Sequence, residues 1–145
     1  MSAFADSSAL VKLYADESDE GVREGPPSWV VSALARVEVP AALWRKQHLG
    51  ELALDDAAVL VASFDADFHG TGSDAPRFVV LALGATVLEL AAALLRHHPL
   101  RTLDALQLAS ALAARDVDPA CDTIVCWDRT LRAAATREGF ALLPV

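Results

Sequence analysis

The chain has 145 residues, 54% of them apolar, with 20 acids against 12 bases and a formal net charge of −8. That length reads as a single domain over residues 1–145 with room for a real core, and that apolar share excludes global disorder. The acidic balance excludes a broadly basic protein that coats nucleic acid, though not a small basic patch beside an acidic pocket.

Ser2–Ala5 is a short apolar strand ending at Asp6. Ser7 and Ser8 are placed to cap a helix over Ala9–Asp16. The acidic stretch Asp16–Pro27, with Gly21, Gly25 and Pro26-Pro27, reads as a helix end and a loop. Trp29–Val31 is a second strand, and Ser32 caps a helix running to about Leu49. Pro40 lies inside that helix and predicts a kink; the rival reading starts the helix at Pro40 and keeps Ala33–Val39 extended. Glu51–Phe68 is an amphipathic helix and His69–Arg77 a polar loop. Phe78–Leu83 is a continuous apolar run, the pattern of a buried strand.

Thr86–His98 is helical and is broken by Pro99, after which Thr102 caps a helix to about Arg115. Thr123–Trp127 is a buried strand ending at Asp128, and the helix Arg129–Glu138 stops at Gly139. Phe140–Val145 forms a last edge strand. The longest apolar stretch, Phe78 to Leu95, is interrupted by Gly84, Thr86 and Glu89 and predicts no membrane span. Lys12 and a cluster of acids interrupt the N-terminal apolar stretch, so no signal peptide is expected. Cys121 and Cys126 share one apolar run. On a continuous strand their odd offset places them on opposite faces, a poor geometry for a disulfide, and they read as reduced, buried thiols of a cytosolic protein.

Strands alternating with helices build an α/β fold, a parallel sheet covered by helices. In open sheets of this kind ligands bind beyond the carboxyl ends of the strands, where Asp6 and Asp128 both fall. Four acids can be argued into one site there: Asp6, Glu38, Asp104 and Asp128. Phosphodiester cleavage develops charge on the attacking, leaving and phosphoryl oxygens. A divalent ion held by hard carboxylate oxygens can stabilise that charge and activate water. Without a cation, clustered carboxylates raise one another's pKa. Asp6, Asp104 and Asp128 also lie at helix starts, where an acid acts equally as a cap. Glu38, on a helix flank, gains nothing from the helix dipole and otherwise reads as a surface acid.

Around these, Ser7 either orients a carboxylate or caps a helix, and Gln107, one turn after Asp104, is within its reach. Candidate phosphate contacts are Arg45, Lys46, Arg96, Arg101, Arg129 and Arg132, set against their ordinary role as helix-surface charges. His97 and His98 read as rings at a helix end favoured by the dipole, and His48 has no assigned role. Trp29 and Trp44 read as core or interface residues, and Leu10, Leu13 and Tyr14 as a core stripe.

Four segments resemble PIN-domain ribonucleases, in particular the VapC toxins of bacterial toxin–antitoxin pairs. They are Phe4-Ala5-Asp6-Ser7-Ser8-Ala9-Leu10-Val11-Lys12, Ser32–Val39 around Glu38, Leu100–Ala109 around Asp104, and Cys126-Trp127-Asp128-Arg129-Thr130-Leu131. They occur in family order and, with the final glycine-ended helix, span nearly the whole chain. The resemblance implies a PIN-like three-layer α/β/α fold with a central, mainly parallel sheet. It implies magnesium, or manganese in its place, held by Asp6, Glu38, Asp104 and Asp128. It implies endoribonuclease activity on RNA leaving a 5′-phosphate and a 3′-hydroxyl, a homodimer, and a small VapB-like antitoxin as partner; the cytoplasmic setting rests on the reduced thiols. It places Glu38 within a helix, the kinked reading of Pro40, and leaves the Leu10, Leu13, Tyr14 stripe as an alternative contact for the antitoxin or a second subunit.

The chain departs from some relatives in carrying Thr130 where they have a further acid, a position Thr130 can serve only through water. Trp127 stands before the fourth aspartate and is expected to narrow the pocket. The alternative function is a catalytically weak PIN-fold module that binds protein or RNA. A phosphotransfer domain of receiver type is disfavoured, because the only lysines, Lys12 and Lys46, lie in early helices.

Overall fold

In the first strand the side chains alternate between two cores: Phe4 enters one, Ala3 and Ala5 the other. The structure, a computed structural model, describes residues 2–15 and 28–145. The loop expected over Asp16–Pro27 lies outside the described residues. The strands are β1 (Ser2–Ala5), β2 (Ser28–Ser32), β3 (Phe78–Leu81), β4 (Thr123–Val125) and β5 (Ala141–Leu143). The described helices are α1 (Ser7–Ala15), α2 (Ala35–His48), α3 (Leu54–His69), α4 (Ala85–Leu94), α5 (Thr102–Val117) and α6 (Arg129–Arg137).

All strand pairs are parallel, in the order β3-β2-β1-β4-β5. Phe4 stands in register with Val30 on one side and Ile124 on the other. These three form one face of the sheet, covered by Val87 and Leu94 of α4, Leu108 of α5 and Leu131 of α6. The opposite face, with Trp29, Val31 and Val125, is covered by Leu10 of α1, Val39 and Leu43 of α2 and Phe64 of α3. The result is the expected three-layer α/β/α arrangement. Among the described residues no helix is long and apolar enough to cross a membrane.

Several local expectations change. The run Phe78–Leu83 is not a buried strand: among the described residues β3 pairs only with β2, and Val79 is 55% exposed while Phe78 is buried. An apolar run marks strand character but not a central place in the sheet. Residues 35–39 are helical and Pro40 lies inside α2, which removes the reading that starts the helix at Pro40. Ser32 is the last residue of β2. Its Oγ accepts from the Leu34 amide at 3.1 Å, shaping the turn before α2 without capping it. Thr102 is the first helical residue of α5, after Arg101, and not its cap.

Helix α4 ends at Leu94, ahead of His98. His98 is buried, with Nε2 2.8 Å from Oε1 of Glu138 at the end of α6; it is not an exposed ring on a helix dipole. The strand around the cysteines spans only Thr123–Val125. Cys121 and Cys126 therefore flank it, both free and buried in the same core instead of on opposite faces. Burial pushes the Cys126 thiol up to about 12. Gly139 closes α6 at φ +85°, a conformation that suits glycine.

Candidate active site

Asp6 follows β1 directly, and its amide donates to Val125 O of the neighbouring β4 at 3.2 Å. That bond extends the ladder by one residue and fixes Asp6 at the carboxyl edge of the sheet. Its Oδ1 accepts from the Ala9 amide at 2.8 Å and its Oδ2 from Ser8 Oγ at 2.9 Å, so Asp6 is the N-cap of α1. Asp128, three residues beyond β4, caps α6 through Oδ1 and the Leu131 amide at 2.9 Å. Glu38 sits in the first turn of α2 and Asp104 in the first turn of α5. Thus each of the four acids sits at the N-terminal end of a helix, and all four line one cleft of about 530 Å³.

Glu38 is held across the cleft floor. Its Oε1 accepts from Ser7 Oγ and from Gln107 Nε2, each at 2.9 Å, and Gln107 Nε2 also donates to Ser7 Oγ at 2.9 Å. Ser7 therefore orients a carboxylate. Gln107 reaches Glu38, not Asp104, because α5 turns it toward α1 and α2. The Oε1 atom of Gln107 is buried without a protein partner among the described residues. Asp104 makes no hydrogen bond within the described residues, and none of the four acids forms a salt bridge there.

The electrostatics match a cluster of like charges. Burial raises Asp6 to about 6, helped by Asp104 and Glu38 and opposed by the bonds from Ala9 and Ser8. Burial also raises Asp104, with Asp128 and Glu38 adding to the shift and Arg101 opposing it. Among the described residues, no three His, Cys, Asp or Glu side chains are grouped so as to hold a metal ion. The acids ring the cleft without meeting at one point.

Other sequence-predicted residues are distributed as follows. Arg101 lines the cleft beside Asp104. Arg129 and Thr130 line a different groove, so Thr130 does not stand among the cleft acids. Arg96 is exposed after α4. Arg132 is a structural clamp and not a phosphate contact: its Nη1 donates to Cys126 O and its Nη2 to Pro144 O, each at 2.8 Å. Trp127 packs on the second core under Lys12, whose Nζ is 4.9 Å from the ring centroid, and does not line the cleft. Trp29 is core. Leu10 is fully buried, and Leu13 and Tyr14 pack beside it. The sequence reading missed Ser8 as a partner of Asp6; its signal is the spacing of two, at which a serine hydroxyl meets the carboxylate.

No protein-family model matches the chain. Two curated relatives, ribonucleases VapC45 and VapC49 of Mycobacterium tuberculosis, are each 36% identical over 148 aligned residues, covering 97% of this chain and 94% of theirs. Among solved structures, M. tuberculosis VapC20, described as a sarcin-ricin loop cleaving toxin, superposes with a TM-score of 0.63 at 20% identity over 96% of each chain. FitAcB from Neisseria gonorrhoeae superposes with a TM-score of 0.64 at 15% identity, over 97% of this chain and 95% of that one. These two share the three-layer PIN fold. By its identity to the curated relatives over nearly the whole of both chains, the protein belongs to the VapC ribonucleases, toxins of toxin–antitoxin pairs.

Proposed function

We propose that the acid-lined cleft is the catalytic centre of a divalent-cation-dependent endoribonuclease, with Asp6, Glu38, Asp104 and Asp128 as the cation-holding groups. The observation that carries this is four carboxylates around one cleft, none of them in a salt bridge among the described residues. An all-oxygen, anionic donor set suits magnesium or manganese, and a bound cation would offset the burial and the like charges that raise Asp6. Such an ion supplies charge stabilisation to phosphoryl and leaving oxygens and lowers the pKa of water.

The chain's own residues prepare this chemistry. Ser7 and Gln107 fix one oxygen of Glu38 and leave Oε2 available. Asp128 uses Oδ1 as a cap and keeps Oδ2. Asp104 has no hydrogen-bond partner among the described residues, so both of its oxygens would be available to a cation. Arg101 on the rim is placed to meet a phosphate of the substrate strand. Attack of water on phosphorus with the 3′ oxygen as leaving group breaks the P–O3′ bond and gives a 5′-phosphate and a 3′-hydroxyl.

The same reading gives the protein a small antitoxin partner, a homodimeric state and a cytoplasmic site of action. The test is cleavage of RNA by the purified chain with magnesium, against Asp6→Asn and Asp104→Asn. Cleavage by the wild type and its loss in both variants is expected. Undiminished cleavage in both overturns the assignment. RNA binding without any cleavage would instead identify the catalytically silent binding module.

A further inference from the structure

Beside the carboxylate cleft runs a second groove, of about 280 Å³, along one flank of α6. It is lined by Arg129, Ala133 and Arg137 at four-residue intervals, by Thr130, and on its other wall by His98 and Pro99. The two features abut through the chain itself. Asp128 lines the cleft and Arg129 the groove; Arg101 lines the cleft and Pro99, two residues before it, the groove. Arg129 and Arg137 are both exposed, and neither has an ion-pair partner among the described residues. Ala133 between them leaves the groove open. His98, 5% exposed, carries a buried Nδ1 with no protein partner among the described residues, while its Nε2 is held by Glu138.

We propose that this groove holds the sugar–phosphate backbone of single-stranded RNA flanking the cleaved bond, with Arg129 and Arg137 on phosphates and Arg101 at the junction with the cleft. The inference rests on the ribonuclease reading. A guanidinium every two helical turns, about 12 Å apart along the axis, suits a repeating anion better than one small ligand. It also explains how a chain of net charge −8 holds a polyanion: the anionic cleft is flanked by a cationic track on one side. Such a groove grips phosphates and holds the strand without selecting its sequence.

The test measures binding of a short single-stranded RNA by fluorescence anisotropy in EDTA over a series of salt concentrations, on the full chain. Compared are the wild type, Arg129→Ala/Arg137→Ala, Arg129→Lys/Arg137→Lys, and Arg77→Ala as an exposed arginine just before β3, outside both the groove and the cleft. The double alanine variant is expected to bind more weakly, with a salt slope shallower by about 1.4, roughly 0.7 for each phosphate no longer neutralised. The double lysine variant is expected to keep most of the slope, and Arg77→Ala all of it. Wild-type affinity and slope in the double alanine variant, or an equal loss in Arg77→Ala, overturns the groove alone, provided the wild type cleaves RNA with magnesium. A wild type that neither binds nor cleaves RNA removes the ribonuclease reading and the groove together.

Discussion

Gln107 Nε2 lies 2.9 Å from Glu38 Oε1, a bond that ties α5 to α2 across 69 residues of sequence. With Ser7 on the same oxygen, it holds a carboxylate in one orientation in advance of any ligand. Gln107→Leu keeps the volume near that of the amide but removes one of the two donors on Glu38 Oε1, leaving Ser7 alone. RNA cleavage is expected to fall about 10–100-fold and the magnesium concentration for half-maximal activity to rise, as for other groups that orient ligands. Steady-state rates over a magnesium titration check this. Unchanged rates at every magnesium level contradict it.

Asp6 shows the tension between stability and function. Its folded pKa, about 6, lies above the ordinary aspartate value of 3.8. The fold therefore favours the protonated acid. That advantage is complete below about pH 3.8 and is lost as pH rises through about 6, so above pH 6 the ionised acid costs the metal-free protein on the order of 2–3 kcal/mol. Asn can keep the cap without the charge. Metal-free Asp6→Asn is expected to be more stable than the wild type at pH 7.5, with the difference shrinking toward pH 4. Urea melts in EDTA at both values check it, and a less stable variant at pH 7.5 contradicts it.

Asp128 combines two roles that substitution separates. Asp128→Asn keeps an N-cap for α6 but removes charge from the cleft. Asp128→Ala removes both and is expected to cost about 1 kcal/mol more in stability. Both variants are expected to lose cleavage, while thermal melts distinguish them. Full activity in Asp128→Asn would show that the residue is a cap alone.

Arg132 clamps the C-terminal segment to the end of β4 through Cys126 O and Pro144 O. Arg132→Ala leaves those carbonyls without their charged donor and is expected to destabilise the fold by roughly 2 kcal/mol. The salt slope of RNA binding is expected to stay at the wild-type value. Denaturant midpoints and anisotropy at several salt concentrations check the two halves of this expectation.

Sequence reasoning works here where a residue's place follows from local rules. Strand–helix alternation implies the parallel sheet, and Asp6 falls at the end of β1 because an apolar run stops there, while Asp128 comes three residues past the end of β4. Gly139 is legible as a helix stop because few other residues take its φ. What is not legible depends on partners remote in sequence. The apolar run of β3 gives no sign that, among the described residues, it pairs on one side alone. His98 looks like a helix-end residue until Glu138 is brought against it, and Arg132 resembles any surface arginine until two carbonyls surround it. Gln107 has the correct spacing for Asp104, yet the packing of α5 against α1 and α2 gives it to Glu38. The carboxylates reach one cleft, as their positions at the sheet edge suggest, while among the described residues no three of them are grouped so as to hold an ion.

The most direct measurement is RNA cleavage by the wild type and by Asp104→Asn, in EDTA and after return of excess magnesium. Wild-type cleavage is expected to vanish in EDTA and return with the ion, while the variant stays roughly a thousandfold slower throughout, consistent with the loss of several kcal/mol of charge stabilisation. Cleavage that ignores EDTA, or an Asp104→Asn variant as fast as the wild type, would contradict a cation held by these acids.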